Sequence, residues 1–482
     1  MNTLIQNVQV LKGDRYETLD VQITGSQIVV IAPSESELSA ELAIDGRDRL
    51  LLPGFANGHT HSSQIWQRGL IPPLPLELWL ADVFDTAIAD LEQHYLSALK
   101  VAVDTLLSGG TCVVDHAYLV PGYELETIAA LAKAYTEAGI RAVIAPMTQD
   151  LPLVAGLPSG LSLPHTPYPK STPDILAMME AIAQQFHNPE AGIYVAVGPA
   201  GFHRCSDALL EGCRDISDRH NLCRHTHLLE TRAQKRLAQE RYGGSAVVHL
   251  QQLGFLDHRT SLAHCVWLSD ADIKILAETQ ATVVHNPVSN LRLGSGIAPI
   301  LKCLKAGVNV SFGCDGAASN DAQNLLEAIK LGTMLHTVAE PDYRDWIAPH
   351  TALEIAALGG MKGINLGDRA GSITVGRAAD LVLYDLNCPS MLPQNDPASL
   401  LVLGRPVDAV DRVWINGKPI VENGKVLTVD VDGLHQELQA RGKGNGRSLG
   451  AQRSQFQTIH QVEPHYRKVM LDKDATSEIP DS

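Results

Sequence analysis

Eight apolar runs dominate the middle of the chain, and stretches with helical periodicity separate most of them. Continuous apolar runs that alternate with helices indicate parallel strands covered on both faces. Eight strand–helix units is the count of a (β/α)8 barrel, an α/β fold. A doubly wound open sheet is the alternative, but no G-x-G-x-x-G follows any run. We therefore predict a barrel from LLLPGFANGH, GTCVVDHAY, RAVIAPMTQ, GIYVAVGPA, NLCRHTHLLE, TSLAHCVWL, ATVVHNPVSN and VNVSFGCDG.

The two ends of the chain share a different pattern, in which apolar and polar residues alternate over short segments and Gly and Asp stand between the segments. This pattern is typical of short antiparallel strands. It covers the first 50 residues and recurs in GSITVGRAADLVLYDL and VDRVWINGKPIVENGKV, where NGK turn signals begin at Asn416 and Asn423. We expect the two ends to pair into one small β-domain. The predicted division is 1–52 and 366–430 for that domain, 53–365 for the barrel, and 431–482 for a C-terminal helix and polar tail.

Composition excludes some classes of function. The 482 residues carry a net charge of −16, which argues against a nucleic-acid-binding surface. No apolar stretch is long enough to span a bilayer, and the N-terminus lacks a secretory signal pattern. The eight cysteines are scattered without a C-x-x-C pair, which indicates thiols in a reducing compartment. We expect a cytoplasmic protein with no nucleic-acid or membrane partner.

Polar, metal-capable residues close six of the eight runs. In a barrel the carboxyl ends of all strands face one mouth, so these residues converge although they are far apart in the chain. The pattern predicts a metal site at that mouth. The candidate residues are His59, His61, Asp115, His116, His225, His227, Glu230, His264, His285, Asn286 and Asp315.

Imidazole nitrogens with one carboxylate suit Zn²⁺ or Fe²⁺. His59 and His61 supply two nitrogens and Asp315 supplies one oxygen. The third nitrogen comes from His225 or His227, which share a strand face, so spacing alone does not choose between them. The fourth run contains no lysine that could bridge two ions, and we therefore expect one metal ion.

The same residues predict a chemistry. A divalent ion lowers the pKa of its water towards neutrality. Asp315 can accept a proton from that water, and Glu230 can carry a proton to a leaving nitrogen. His264 can donate a hydrogen bond to the developing oxyanion. Together these groups favour hydrolysis at an electron-poor carbon.

Six ordered motifs resemble the amidohydrolase superfamily over roughly residues 1–430: PGFANGHTH, HTHLLET, AHCVWLSDADI, HNPVSNLRLGSGIAPI, GCDGAASND and GSITVGRAADLVLYD. They are most similar to its ATZ/TRZ branch, which holds triazine hydrolases, cytosine-deaminase-like enzymes and S-adenosylhomocysteine-deaminase-like enzymes. The resemblance implies a distorted (β/α)8 barrel beside a composite β-sandwich built from both termini. It also implies a single Zn²⁺ or Fe²⁺, with zinc favoured, and a homodimer or higher homo-oligomer. In the family pattern the ligand precedes the glutamate by three residues, which selects His227.

The presence of both Glu230 and His264 matches family members that deaminate aminated N-heterocycles. The resemblance therefore implies a metal-dependent hydrolase that releases ammonia or an amine from a purine, pyrimidine, pterin or s-triazine. The alternative within enzymes is hydrolysis of a cyclic amide or a carbon–halogen bond. A non-catalytic binding protein is the alternative from another class, but every expected ligand is present in the chain.

The resemblance also suggests substrate contacts, which disagree with one another. Glu77 and Trp79 have the spacing that nucleoside deaminases of this group use, yet Ala200 stands where those enzymes carry a histidine. The motif with Asp115 and His116 looks closer to 8-oxoguanine deaminase and hydroxyatrazine ethylaminohydrolase. The Pro/Gly-rich insert at 147–173 is expected to form a lid. The predicted substrate-binding residues are Gln64, Glu77, Trp79, His116 and Asn286.

Overall fold

A computed structural model of the chain describes residues 2–34, 37–88, 90–157 and 170–444, with 463, 464, 466 and 467. The predicted lid lies partly outside the described residues, because 158–169 are not among them. The predicted polar tail beyond residue 444 lies almost entirely outside them.

Five strands open the chain. Val8, Val21 and Leu51 are among their buried side chains. Most polar residues of these strands are more exposed, as the alternating pattern predicts, although Thr3 and Asp20 are buried. The strands are β1 (Asn2–Lys12), β2 (Arg15–Thr24), β3 (Gln27–Pro33), β4 (Leu42–Asp45) and β5 (Arg49–Pro53).

All eight apolar runs contribute a strand to one parallel sheet, so the predicted barrel is confirmed. Its strands follow one another in chain order around the sheet. The first and last strands meet where the backbone N–H of Asp315 donates to the carbonyl of His59 at 2.9 Å. The barrel strands are β6 (Phe55–Thr60), β7 (Gly110–Ala117), β8 (Arg141–Thr148), β9 (Ile193–Pro199), β10 (Cys223–Leu228), β11 (Thr260–His264), β12 (Thr282–His285) and β13 (Asn309–Phe312).

Helices surround the barrel, and several begin at a Ser, Thr, Asp or Asn whose side chain accepts a first-turn N–H. Their apolar faces join the strands in one large core. None of the helices in the described ranges is both long and apolar enough to cross a membrane. The helices are α1 (Leu76–Asp85), α2 (Leu91–Leu107), α3 (Glu124–Ala138), α4 (Thr172–Phe186), α5 (Asp207–His220), α6 (Arg232–Tyr242), α7 (Ala246–Gln252), α8 (Asp270–Thr279), α9 (Pro287–Arg292), α10 (Ile300–Lys305), α11 (Leu325–Met334), α12 (Pro349–Glu354) and α13 (Gly360–Gly363).

The C-terminal segment returns to the first five strands, which confirms a separate β-domain formed by both termini. It contributes β14 (Leu381–Asp385), β15 (Val410–Ile415), β16 (Lys418–Glu422) and β17 (Lys425–Val426), with α14 (Pro397–Ser399) and α15 (Val431–Gly444). These strands and the first five form one mixed sheet in the order β17-β16-β15-β14-β5-β1-β2-β3, with β4 paired to β1. Asn416 and Asn423, both at φ 50°, begin the tight turns between its last strands.

The first apolar run is two strands and not the single strand that the sequence predicts. The chain leaves the mixed sheet at the end of β5 and enters the barrel one residue later. Gly54 makes this crossing possible, since a Cβ there would lie 2.7 Å from the Cβ of Thr111. The Gly54 N–H donates to the Asp380 carbonyl at 2.9 Å, which holds the crossing against the C-terminal segment.

A buried ion pair joins the base of the barrel to the mixed sheet. Arg141, at the start of β8, donates from Nε to Asp380 Oδ2 at 2.5 Å and from a terminal nitrogen to Oδ1 at 3.1 Å. The side chains of Arg141 and Asp380 are 7% and 0% exposed. Removing one partner of such a pair leaves a buried charge without compensation.

We therefore expect Asp380→Ala to lower the free energy of unfolding by about 3 kcal/mol, measured by urea denaturation. The matched control is Asp45→Ala, which breaks an exposed pair with Arg47 and should leave the unfolding midpoint unchanged. Equal effects of the two substitutions would contradict the structural importance of the buried pair.

Candidate metal centre

Three histidines and one aspartate from distant parts of the chain meet at the carboxyl ends of the barrel strands. His59 lies one residue before the end of β6, His61 follows that strand, His227 lies in β10, and Asp315 follows β13. All four are buried. Nitrogens of His59, His61, His116 and His227 lie within 4.8 Å of one another, as do potential ligand atoms of His59, His264 and Asp315.

Outward hydrogen bonds set the direction of each imidazole. The Nδ1–H of His61 donates to the carbonyl of His116 at 2.6 Å, and that of His227 donates to the carbonyl of Ala200 at 2.7 Å. His59 Nδ1 lies 2.7 Å from His225 Nε2. With each Nδ1 occupied in this way, the Nε2 lone pairs of all three rings point inward.

The inward-facing atoms form a set of acceptors that lacks a matching donor among the described residues. The Nε2 atoms of His61 and His227 face each other at 3.2 Å, and Nε2 of His59 is buried without a hydrogen-bond partner. Asp315 Oδ1 lies 3.5 Å from Nε2 of His59 and 3.6 Å from Nε2 of His61. Three nitrogen lone pairs and a carboxylate directed at one point are suited to a divalent cation.

The protonation states of these histidines and of Asp315 also favour the binding of a cation. Burial lowers the pKa of His59 to about 4 and that of His227 well below its ordinary value, so both rings are neutral near pH 7. Burial alone would raise the pKa of Asp315, but the neighbouring His59, His264 and His61 outweigh it and hold that pKa well below its usual range. Neutral imidazoles and an ionised carboxylate are the forms that bind a metal ion.

The backbone around Asp315 is built to aim its carboxylate. The residue has φ 61°, in the left-handed region that side-chain-bearing residues seldom adopt. Its Oδ1 accepts the Gly316 N–H at 2.6 Å, and its Oδ2 accepts the Ser289 hydroxyl at 2.6 Å. Ser289 lies in α9 and was not singled out in the sequence.

The structure places His225 behind the candidate ligands, where spacing alone left it open. His225 Nε2 accepts from His59, and its Nδ1 lies 2.7 Å from the hydroxyl of Ser261. Both ring nitrogens are therefore engaged, and neither is available to a metal ion. His225 instead holds the ring of His59 in its orientation.

Glu230 and His264 lie close to the carboxylate of Asp315 and to the point at which the Nε2 atoms of the three histidines are directed. His264 Nε2 lies 3.7 Å from Glu230 Oε2 and 4.0 Å from Asp315 Oδ2, while its Nδ1 lies 2.9 Å from Asn290 Oδ1. Burial, supplemented by the charges of Asp315 and Glu77, raises the pKa of Glu230 to about 7, although His264 opposes the shift. Ser295 donates to Glu230 Oε1 at 3.3 Å.

A pocket opens onto this point and is lined by His61, His227, Glu230, His264 and Asp315 among others. Of the predicted substrate contacts, Gln64 and Trp79 line the pocket. Glu77 is buried beside it and accepts the Thr231 hydroxyl at 2.6 Å. His116 lies within the histidine cluster, stacked on His227 with ring centroids 4.8 Å apart, and Asn286 lies behind His264 with Nδ2 3.4 Å from its Nδ1.

Two pocket residues were missed in the sequence. His203 and Arg204 line the pocket from the turn after β9, which is one of the two runs to which no candidate was assigned. The family resemblance predicts a histidine directly after Pro199, where this chain has Ala200. His203 lies four residues beyond the end of β9, and its position just after a barrel strand is the signal that could have identified it.

We predict that His225→Ala weakens zinc binding about 10- to 100-fold, because the acceptor that orients His59 is lost. Competition with a chromophoric zinc chelator measures the affinity. The control is His249→Ala. This histidine pairs with Asp207 at 2.8 Å and does not belong to the cluster of candidate ligands. Equal zinc affinities for the two variants would contradict the orienting role of His225.

A family profile described as "Amidohydrolase family" matches residues 50–420. A 5-methylthioadenosine/S-adenosylhomocysteine deaminase from Caldanaerobacter subterraneus subsp. tengcongensis is 32% identical over 447 residues, covering 92% of this chain and 98% of the relative.

Two solved structures superpose on nearly the whole chain. An adenosine deaminase from Xanthomonas campestris with bound zinc has a TM-score of 0.82 and 26% identity, covering 92% of this chain and 98% of its own. An atrazine chlorohydrolase from Arthrobacter aurescens, complexed with zinc, has a TM-score of 0.82 and 26% identity, covering 91% and 99%.

Proposed function

The chain belongs to the amidohydrolase family, and from that premise we propose that it is a metal-dependent hydrolytic deaminase. It removes an amino group, as ammonia or an amine, from an aminated N-heterocycle. The observation that carries this proposal is the convergence of Glu230, His264 and Asp315 on one point beside the inward nitrogens of three histidines. The named activities of the relatives, deamination of adenine nucleosides above all, support the same reaction class.

His59, His61, His227 and Asp315 would hold one divalent ion. Three imidazole nitrogens and one carboxylate suit Zn²⁺, and zinc is bound in both of the similar solved structures. When bound, the ion supplies Lewis-acid polarisation and lowers the pKa of an adjacent water.

Glu230 carries the proton between water and the leaving nitrogen. A carboxyl with a pKa of about 7 exchanges its proton readily at neutral pH, which is the requirement for a group that accepts a proton and then donates it. Two contacts orient the carboxyl group of Glu230 for this proton transfer. Ser295 donates to Oε1, and Oε2 faces Nε2 of His264.

His264 and Asp315 act on the attacking oxygen. His264 has its Nδ1 against Asn290, so its Nε2 is directed at the space between Glu230 and Asp315. In the imidazolium form, which carries a proton on both ring nitrogens, Nε2 donates to an oxygen that gains negative charge. Asp315 remains ionised and can accept a proton from the attacking water.

The remainder of the pocket fits a planar ring. Trp79, Leu293 and Met147 provide apolar surface, while Gln64 and Tyr118 add hydrogen-bonding groups. We propose a purine, pyrimidine, pterin or s-triazine as the ring, with adenine nucleosides as the first members to test because of the relatives' names.

We also propose a cytoplasmic homo-oligomer, in the first instance a homodimer. The eight free cysteines are mostly buried, which suits a reducing compartment. Exposed apolar side chains at Met334, Val338, Tyr343 and Trp346 offer a surface for self-association.

The proton-transfer assignment predicts that Glu230→Gln lowers kcat about 10²- to 10⁴-fold and leaves the bound metal in place, because Gln retains the shape without the exchangeable proton. Asp315→Asn should lower kcat and also reduce metal content. Steady-state ammonia release and metal analysis of both variants measure the two effects. Full activity of Glu230→Gln would remove its assigned role.

The reaction itself is tested by ammonia release from the zinc-loaded protein across aminated purines, adenine nucleosides, pyrimidines, pterins and triazines. We expect ammonia with at least one ring class. Chloride or a ring-opened acid as the product, without ammonia, would replace deamination by hydrolysis of a carbon–halogen bond or a cyclic amide.

A further inference from the structure

The turn after β9 gives the pocket a positively charged wall. His203 and Arg204 line the pocket, and each is only 4% exposed. They lie next to each other in the chain, and the mechanism above uses neither of them. A guanidinium that faces a ligand pocket from a buried position is a strong determinant of which ligands are accepted.

The turn is shaped to bring the ring of His203 close to the metal-site strand. Gly201 pairs with His227 of β10 in an isolated bridge. A Cβ on residue 201 would lie 2.6 Å from Nδ1 of His203 and 3.1 Å from the carbonyl oxygen of His227. The absence of a side chain at Gly201 therefore allows the imidazole of His203 to pack against the turn.

A second arginine fixes the backbone of the turn. Arg241, the basic residue in the last turn of α6, donates to the carbonyls of Phe202 at 3.0 Å and His203 at 3.2 Å, and also to the carbonyl of Ala155. The Arg204 N–H donates to the Gly201 carbonyl at 3.0 Å. The side chains of His203 and Arg204 thus project from a backbone that is ordered before any ligand arrives.

The chemistry of the two side chains is complementary. Burial, then the charges of Arg204 and Arg241, keep the pKa of His203 well below its ordinary value, so its ring is neutral and offers one donor and one acceptor. His203 Nδ1 is buried and lacks a hydrogen-bond partner among the described residues. Arg204 carries a permanent charge and a planar fork of donors that matches an anionic oxygen group.

We propose that His203 and Arg204 form a recognition subsite for an anionic oxygen group, carboxylate or phosphate, on the heterocyclic substrate. The inference rests on the proposed deaminase function and names the subclass of substrate that this chain accepts. Arg204 binds the anionic oxygens, and His203 donates to or accepts from a neighbouring polar atom of the same ligand.

The test compares matched acidic and neutral substrates with the zinc-loaded full chain. The pairs are pterin-6-carboxylate with pterin, and adenosine 5′-monophosphate with adenosine. We expect wild type to prefer the acidic member of at least one pair in kcat/KM. A preference in the first pair identifies a carboxylate, and one in the second identifies a phosphate.

Arg204→Met should reduce this acidic-to-neutral ratio of kcat/KM about 10- to 100-fold, mainly through KM, the range expected for a charge-assisted hydrogen bond. Arg204→Lys keeps the charge without the fork and should show an intermediate ratio, which also tests the inference if the Met variant fails to fold. The control is Arg219→Met, which removes a 58% exposed arginine paired with Glu180 and should keep the wild-type ratio.

Two results would overturn the inference: a wild-type protein without preference for any acidic member, or an Arg204→Met variant with an unchanged ratio. The failure of the deaminase proposal is distinguishable, because isothermal titration calorimetry with the same pairs measures binding without turnover. Tighter, Arg204-dependent binding of an acidic member without ammonia release would sustain the subsite and remove the reaction. Absence of binding by every acidic member would remove the subsite.

Discussion

The chemistry of this chain depends on which nitrogen each of three imidazoles directs inward. His61 and His227 each donate from Nδ1 to a main-chain carbonyl, and His59 donates to His225. These bonds leave Nε2 lone pairs facing one another, an arrangement that is repulsive without a cation. The barrel therefore contains a centre that is suited to a cation, and the groups that we propose for proton transfer lie around it.

The backbone pays a local conformational cost to build this centre. Leu229, His264 and Asp315 all have positive φ, at 46°, 75° and 61°. Such conformations cost about 1–3 kcal/mol each in residues with a side chain, and they persist where the surrounding structure enforces them. Each follows or ends a barrel strand, so the strand ends turn sharply and present Glu230, His264 and Asp315 to one pocket.

The positions of the strands were predictable because apolar continuity and helical spacing are local signals. The candidate ligands were predictable because the carboxyl ends of parallel strands share one edge. Spacing alone did not separate His225 from His227, since both lie on the same side of β10, and only the family resemblance selected His227 as the ligand. The turn that carries His203 depends on Arg241 in α6, a contact that the sequence around residue 203 does not encode.

The local sequence pattern also failed to predict the division of the first apolar run. Its residues are continuously apolar, although they belong to two different sheets. Gly54 marks the crossing, but a glycine in an apolar run also occurs at bulges and bends. The decisive contact is with Thr111, which is distant in the chain. Long-range packing thus decides how the residues of the first run divide between the two sheets. The candidate site residues still converge, because the carboxyl ends of all barrel strands face one mouth.

The most direct test of this account is anomalous X-ray diffraction at the zinc edge from crystals of the zinc-loaded protein. The account predicts one strong peak per chain, within bonding distance of Nε2 of His59, His61 and His227 and of a carboxylate oxygen of Asp315. A chain without a peak at this position, or a peak coordinated by His225 in place of His227, would contradict it.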